Sequence, residues 1–183
     1  VKLNNTQRNA ITNIFSSQLP TIEKTNFIVN LEQLSPESNP VFITQNEFMR
    51  RMKEMSAMQG GGGMMSFYGE MPDSYNLVVN TAHPLIEKLL KEEETATLAE
   101  ITPLRAQYDE LSKRSDALHN AHTGKKDEEI PTTEKDELNE LSKQMDAISE
   151  QEKAIYSNYA AGNKLVSQLI DLALLANNML KGE

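Results

Sequence analysis

The stretch YNLVVNTAHPLIEKLL, Tyr75 to Leu90, sets the fold class. Its first part, Tyr75 to Asn80, is short, rich in β-branched and apolar side chains and bounded by polar residues, which predicts a strand. Asn80-Thr81-Ala82-His83 turns the chain. Pro84 suits the first turn of a helix, where its missing N–H is not needed. From Pro84 to about Glu94 the side chains Leu85, Ile86, Leu89 and Leu90 share one helical face. Upstream, Asn26 to Leu31 (NFIVNL) and Pro40 to Ile43 (PVFI) predict two further strands, separated by the proline-serine loop Ser35 to Pro40. An N-terminal helix, Asn5 to Ser17, carries Ile11, Ile14 and Phe15 at helical spacing and stops before Pro20. The expected class is α+β, a small mixed sheet with flanking helices.

Between the second and third strands lies QNEFMRRMKEMSAMQGGGGMMSFYGEM, Gln45 to Met71, which holds seven of the nine methionines. At about 100° per residue, Phe48, Met49, Met52 and Met55 fall on one arc of a helix, with Glu47, Arg50, Lys53 and Glu54 opposite. Thr44 and Glu47 predict a capping box at its start. Methionine is unbranched and polarisable, so such a face repacks against partners of many shapes. A core helix that happens to use methionine is the plainer reading. Gly60 to Gly63 favours the contact surface, because four glycines predict a loose tether on the C-terminal side.

Leu98 to Tyr159 differs in kind. Ile101, Leu104, Tyr108, Leu111 and Leu118 alternate spacings of three and four, with Ser115 in the one missing apolar position. The pattern resumes at Leu138, Leu141, Met145, Ile148 and Ile155 after a polar break. Two heptad-patterned helices joined by a short linker predict a long antiparallel helical hairpin with charged flanks. Lys164 to Leu180 is the most apolar segment, with Leu165, Leu169, Ile170, Leu172, Leu174, Leu175 and Met179 distributed around most of the helix. Such a helix calls for burial on more than one side. One small sheet covers one side, and a second copy of the chain could cover the other in a bundle-type dimer. The expected organisation is 1–94 for the α/β portion, with the methionine helix at 45–59 and a glycine-rich loop at 60–74, then 95–159 for the hairpin insertion and 160–183 for the dimerisation helix.

The chain has 183 residues and a net charge of −9, without a basic block that would offset repulsion from phosphate backbones, so nucleic acid is disfavoured as a partner. Cysteine is absent, which removes disulfides and thiolate metal sites. No apolar run is long enough for a membrane helix. The opening VKLNNTQRNA lacks an initiating methionine and is expected to start inside a longer protein. Signals for catalysis are thin. His119 and His122 stand three apart without an HExxH pattern, so metal binding is not expected. His83 precedes a helix start, where a structural role outweighs acid–base work. The glycine run lacks the Lys-Ser/Thr ending of a phosphate loop, and no serine sits in a nucleophile elbow.

The order of these elements resembles the C-terminal domain of the heat shock protein 90 chaperones in their bacterial, HtpG-type form. Asn80-Thr81-Ala82-His83-Pro84-Leu85 is similar to the family's Asn-Pro-x-His-Pro-Leu signature, with Thr81 where the family usually has proline. Leu169 to Ala176 resembles its Leu-x-Asp-x-Ala-Leu-Leu signature. The likeness covers roughly 26–94 and 160–183. The hairpin is longer than the family pattern, and the chain stops at Gly182-Glu183 where the family continues into one more helix. The resemblance implies a cytoplasmic, homodimeric, ATP-dependent chaperone that assists folding and the stress response. This chain would supply dimerisation and client contact and no enzymatic activity. ATP and magnesium would bind an N-terminal domain elsewhere, and no cofactor is expected here. Phe48, Met52 and Met55, with Met49 and Met58 beside them, would face partly folded clients. Leu165, Leu169, Ile170, Leu172, Leu174, Leu175 and Met179 would form the dimer interface. The competing expectation is an adaptor protein that binds one specific partner through its coiled-coil arm.

Overall fold

The computed structural model describes residues 2–58 and 71–179. In chain order the elements are α1 (Asn5–Gln18), β1 (Thr25–Glu32), β2 (Val41–Gln45), α2 (Glu47–Met58), β3 (Asp73–Asn80), α3 (Pro84–Ala121), α4 (Thr132–Ala161) and α5 (Lys164–Ala176). The class is α+β, as the sequence predicts. The tetraglycine and most of the expected 60–74 loop lie outside the described residues, and the strand after it begins at Asp73, two residues before the predicted Tyr75.

The sheet is mixed, in the order β1-β3-β2. β3 lies in the centre, parallel to β1 and antiparallel to β2. Its last four residues, Leu77 to Asn80, are all buried, which suits a central strand covered on both faces. Val41 opposes Val79 and Ile43 opposes Leu77. Phe27 faces Tyr75 with ring centroids 6.0 Å apart. From outside the sheet, α1 brings Ala10, Ile11, Ile14 and Phe15 into the core, on the three-and-four spacing read in the sequence. Its start is fixed by a reciprocal capping box, with the Gln7 N–H donating to Asn4 Oδ1 at 2.8 Å and the Asn4 N–H to Gln7 Oε1 at 2.9 Å. Ile86 and Leu89 of α3, Tyr156 and Ala160 of α4, and Leu169, Ile170 and Leu174 of α5 join the same cluster. One continuous core thus serves sheet, α1, hairpin root and α5.

The junction between β3 and α3 is built around Asn80, which is fully buried. Its Oδ1 accepts from the Leu34 and Ala82 N–H groups, each at 3.1 Å, and its Nδ2 donates to the Ser35 carbonyl at 2.8 Å. His83 Nδ1 then accepts from the Leu85 N–H at 3.1 Å and caps α3, with Pro84 at the first helical position. The NTAHPL stretch is thus a structural device, and His83 spends its ring nitrogen on a backbone donor.

α3 continues for 38 residues, to Ala121, a rod of about 57 Å at 1.5 Å per residue. The expected helix end near Glu94, and with it the 94/95 division, falls inside this continuous element. Thr95 and Thr97 do not interrupt it, because each turns its hydroxyl onto the carbonyl four residues back. Pro103 lies within the helix and leaves the Ala99 carbonyl without its usual donor. α4 returns antiparallel, as the heptads predict. Leu118, Leu141 and Ile148 are buried between the arms. Arg114 grips Glu137 through Nε at 2.7 Å and Nη2 at 3.1 Å, and this bidentate contact holds the Glu137 carboxyl below its usual range. Near the tip, Gly124 takes a left-handed turn at φ 79°, and His122 Nε2 lies 2.6 Å from Glu134 Oε2. At the root, Arg105 reaches the buried Glu152 through Nε and Nη2, both 2.8 Å from Oε1. Burial, with the Glu93 and Glu152 carboxylates nearby, pushes the Tyr156 phenol up to about 12.

Asn80→Ala strands two backbone donors and one carbonyl in a place closed to water. Urea unfolding of this chain should show a loss of about 3 kcal/mol; an unmoved midpoint would remove Asn80 from its place at the junction. For Tyr156, the folded state keeps the phenolic proton to a higher pH than the unfolded state, which releases it near 10. The stability this confers is intact below about pH 10 and lost as pH climbs toward 12. Unfolding titrations across that window should show the wild type losing on the order of 2–3 kcal/mol relative to Tyr156→Phe. Parallel curves for the two proteins would contradict the burial argument.

Candidate functional site

α2 begins at Glu47, and its cap is Asn46: the Met49 N–H donates to Asn46 Oδ1 at 3.1 Å. The expected capping box through Thr44 does not form, since Thr44 is committed to β2, paired with Asn76. The signal was present in the sequence, because asparagine directly before the helix outranks a threonine two residues further out. The polar side closes on itself. Arg50 Nη2 lies 2.7 Å from Glu47 and Nη1 lies 2.8 Å from Glu54. Bonding from Arg50 holds the exposed Glu47 carboxyl below its usual range. One ion pair ties the helix to the sheet: Lys53 Nζ contacts Asp73 Oδ1 at 2.8 Å, at the first residue of β3. Asp73 belongs to a stretch read as loop, so this tether was not foreseen.

The apolar arc of α2 is wider than the surface it packs on. Ser56 is the buried residue of the helix, and Met49 and Met52 beside it are half-buried. Phe48, Met55 and Met58 point away, 61%, 44% and 86% exposed. The five side chains of the expected client surface therefore divide into two that lean inward and three that face solvent. Exposed apolar side chains grouped on one short helix, with a salt-bridged opposite face, make a contact surface available without unfolding anything.

α5 shows a second division. Asn163 caps it, accepting from the Val166 N–H at 3.2 Å, and it ends at Ala176, four residues before the predicted Leu180. Val166, Leu169, Ile170, Ala173 and Leu174 are buried in the chain's own core. Leu165 and Met179 pack against it partly buried. Leu172 and Leu175 face outward, 63% and 57% exposed. Burial on more than one side is thus not achieved within one copy: of the seven expected interface residues, three serve the intramolecular core and two are fully on offer. A groove of about 270 Å³ runs beside Leu172, between α5 and Pro40-Val41-Phe42 of the β2 edge. Phe42 was not singled out in the sequence, because one strand residue carries no signal of the helix that will flank it.

Among the described residues, no three His, Asp or Glu side chains gather as metal ligands, and no helix is long and apolar enough to cross a membrane. His122 is engaged with Glu134, while His119 is exposed.

The curated relatives of this chain are named as chaperone proteins. The chain is 51% identical over 97% of its length to the chaperone protein HtpG of Bacteroides fragilis, and equally so to that of Bacteroides thetaiotaomicron. It is 46% identical over its whole length to HtpG of Porphyromonas gingivalis. The chain belongs to the HtpG family, the bacterial heat shock protein 90 chaperones. It spans about a quarter (26%) of the length of the curated relatives it matches. No family model matches the chain, and no solved structure does.

Proposed function

We propose that this chain is the C-terminal dimerisation and client-contact portion of a cytoplasmic, ATP-dependent chaperone. The observation that carries the reading is the separation of two exposed apolar surfaces on two helices. Phe48, Met55 and Met58 stand exposed on α2, outside the buried core, so they can be altered without disturbing it, and an ion pair from Lys53 to Asp73 ties that helix to the sheet. Leu172 and Leu175 stand on α5, whose opposite face is locked into the core. A rigidly seated helix with outward leucines suits a permanent, symmetric contact between copies. A lightly seated helix with outward methionines suits partly folded clients of varied shape. ATP and magnesium are taken by parts of the protein outside this chain, which itself contributes assembly and binding rather than a reaction.

Two measurements on the full-length protein test the two surfaces separately. Leu172→Asp with Leu175→Asp should convert dimer to monomer in sedimentation velocity; a persistent dimer would put the interface elsewhere. Phe48→Ser with Met55→Ser should weaken suppression of client aggregation while shifting Tm by only about 1–2 °C, the scale of surface substitutions. Undiminished suppression, or a fall in Tm of the size expected for gutted core positions, would return α2 to a packing role.

A further inference from the structure

The chain holds nine methionines and no cysteine, so the thioether is its one readily oxidised sulfur group. Seven of the nine fall between Gln45 and Met71. The described methionines differ in their access to solvent. Met55 and Met58, on α2, are exposed, at 44% and 86%. Met49, Met52, Met71, Met145 and Met179 are partly buried. An oxidant in solution therefore meets Met55 and Met58 first, without any opening of the fold.

These two sulfurs share a face. At about 100° per residue, Met55 stands about 20° from Phe48 around the helix and Met58 about 80°, both on the same flank, whereas Met52 and Met49 lie on the other. Arg51 is on the flank of Met55 and Met58, one turn before Met55. Its guanidinium is loosely held, 3.9 Å from Glu47, where that of Arg50 lies 2.7 Å away. An oxygen added to Met55 would have this charged donor within one turn. Ser56 is the buried residue of α2, and no methionine of α2 belongs to the continuous core. Met55 and Met58 can thus change chemically while the fold stays as it is.

We propose that Met55 and Met58 form a reversible oxidation switch on the client-contact face, which loses its grip on apolar partners when the two sulfurs carry oxygen. The inference rests on the reading of α2 as that face. A sulfur lone pair attacks one oxygen of hydrogen peroxide. The S–O bond forms as the O–O bond breaks, sulfur gives up two electrons, and the second oxygen leaves as water with the proton of the transferred hydroxyl. A dithiol reverses the change and yields thioether, disulfide and water. The sulfoxide is polar and chiral where the thioether was apolar and adaptable. It must shed water to enter an apolar contact, with no donor waiting for it on the client.

The test uses the full-length protein, treated with hydrogen peroxide and then with catalase before an aggregating client is added. Peptide mapping by mass spectrometry should find Met55 and Met58 oxidised ahead of Met49 and Met52. The amount of chaperone needed for half suppression should rise about fivefold, a part of what removing one buried apolar side chain from a contact costs. Methionine sulfoxide reductases with dithiothreitol should restore it. Met55→Leu with Met58→Leu removes both sulfurs, and whatever level of suppression that protein has, peroxide should not change it. Untreated Phe48→Ser with Met55→Ser reports on the underlying reading: normal suppression there would remove α2 as the client face, and the switch with it. Impaired suppression there, combined with a wild type that peroxide leaves unaffected, would keep the face and overturn the switch. An equal peroxide loss in wild type and in the Met55→Leu, Met58→Leu protein, or oxidation of Met49 and Met52 first, would overturn it as well.

Discussion

Asn80 has to satisfy three backbone groups at once in a place that water does not reach, and the arrangement of the chain depends on its doing so. It ends the central strand, so the same side chain meets the loop leaving β1, at Leu34 and Ser35, and the turn entering α3, at Ala82. An amide offers an acceptor for two N–H groups and a donor for a carbonyl on two separate atoms, without charge. Aspartate would lack the donor and bury an anion. Once Asn80 is set, His83 caps the helix and Pro84 begins it, so the direction of α3 follows from the end of β3. That direction places Ile86 and Leu89 in the core and sends the remaining rod outward as the first hairpin arm.

This explains which parts of the fold were legible. Local chemistry announces itself: Pro84 after a polar turn, Pro20 after α1, and the heptad leucines and isoleucines of the arms are all read within a few residues of the structure they create. Helix ends that depend on weak signals were harder. Nothing near Glu94 stops α3, since threonines four residues after a free carbonyl can bond back and stay helical, and the change from an ordinary apolar stripe to heptads looked like a boundary when it is a change of partner along one helix. Asn46 over Thr44 as the cap of α2 was a choice between two good candidates, decided by the pull of the β2 ladder on Thr44.

The surfaces were legible in type but not in orientation. The methionine arc and the leucine-rich terminal segment both stand out by composition. Which members of each face inward is decided by the neighbouring element. The Lys53–Asp73 tie fixes α2 to the first residue of β3, and the sheet and α1 take Leu169, Ile170 and Leu174. Sequence gives the width of an apolar face, whereas the width of the partner decides how much of it is left over. On α2 the surplus is Phe48, Met55 and Met58, and on α5 it is Leu172 and Leu175.

The hairpin root shows the opposite limit. Glu152, in the heptad-patterned second arm, and Glu93, in the apolar-striped start of α3, both stand in charged helical stretches where a solvated face is the default. Both are buried. Glu152 is matched by Arg105, 47 residues away in the chain, with two nitrogens on one oxygen. Glu93 gains only a shared hydroxyl from its own helix, and burial raises its carboxyl above the usual range. The difference follows from the neighbours: Glu152 meets a cation from the other arm, whereas Glu93 stands where a cavity lined by Gln7 and Ala10 of α1 lies beside α3, and the one hydroxyl it receives comes from a turn further along its own helix.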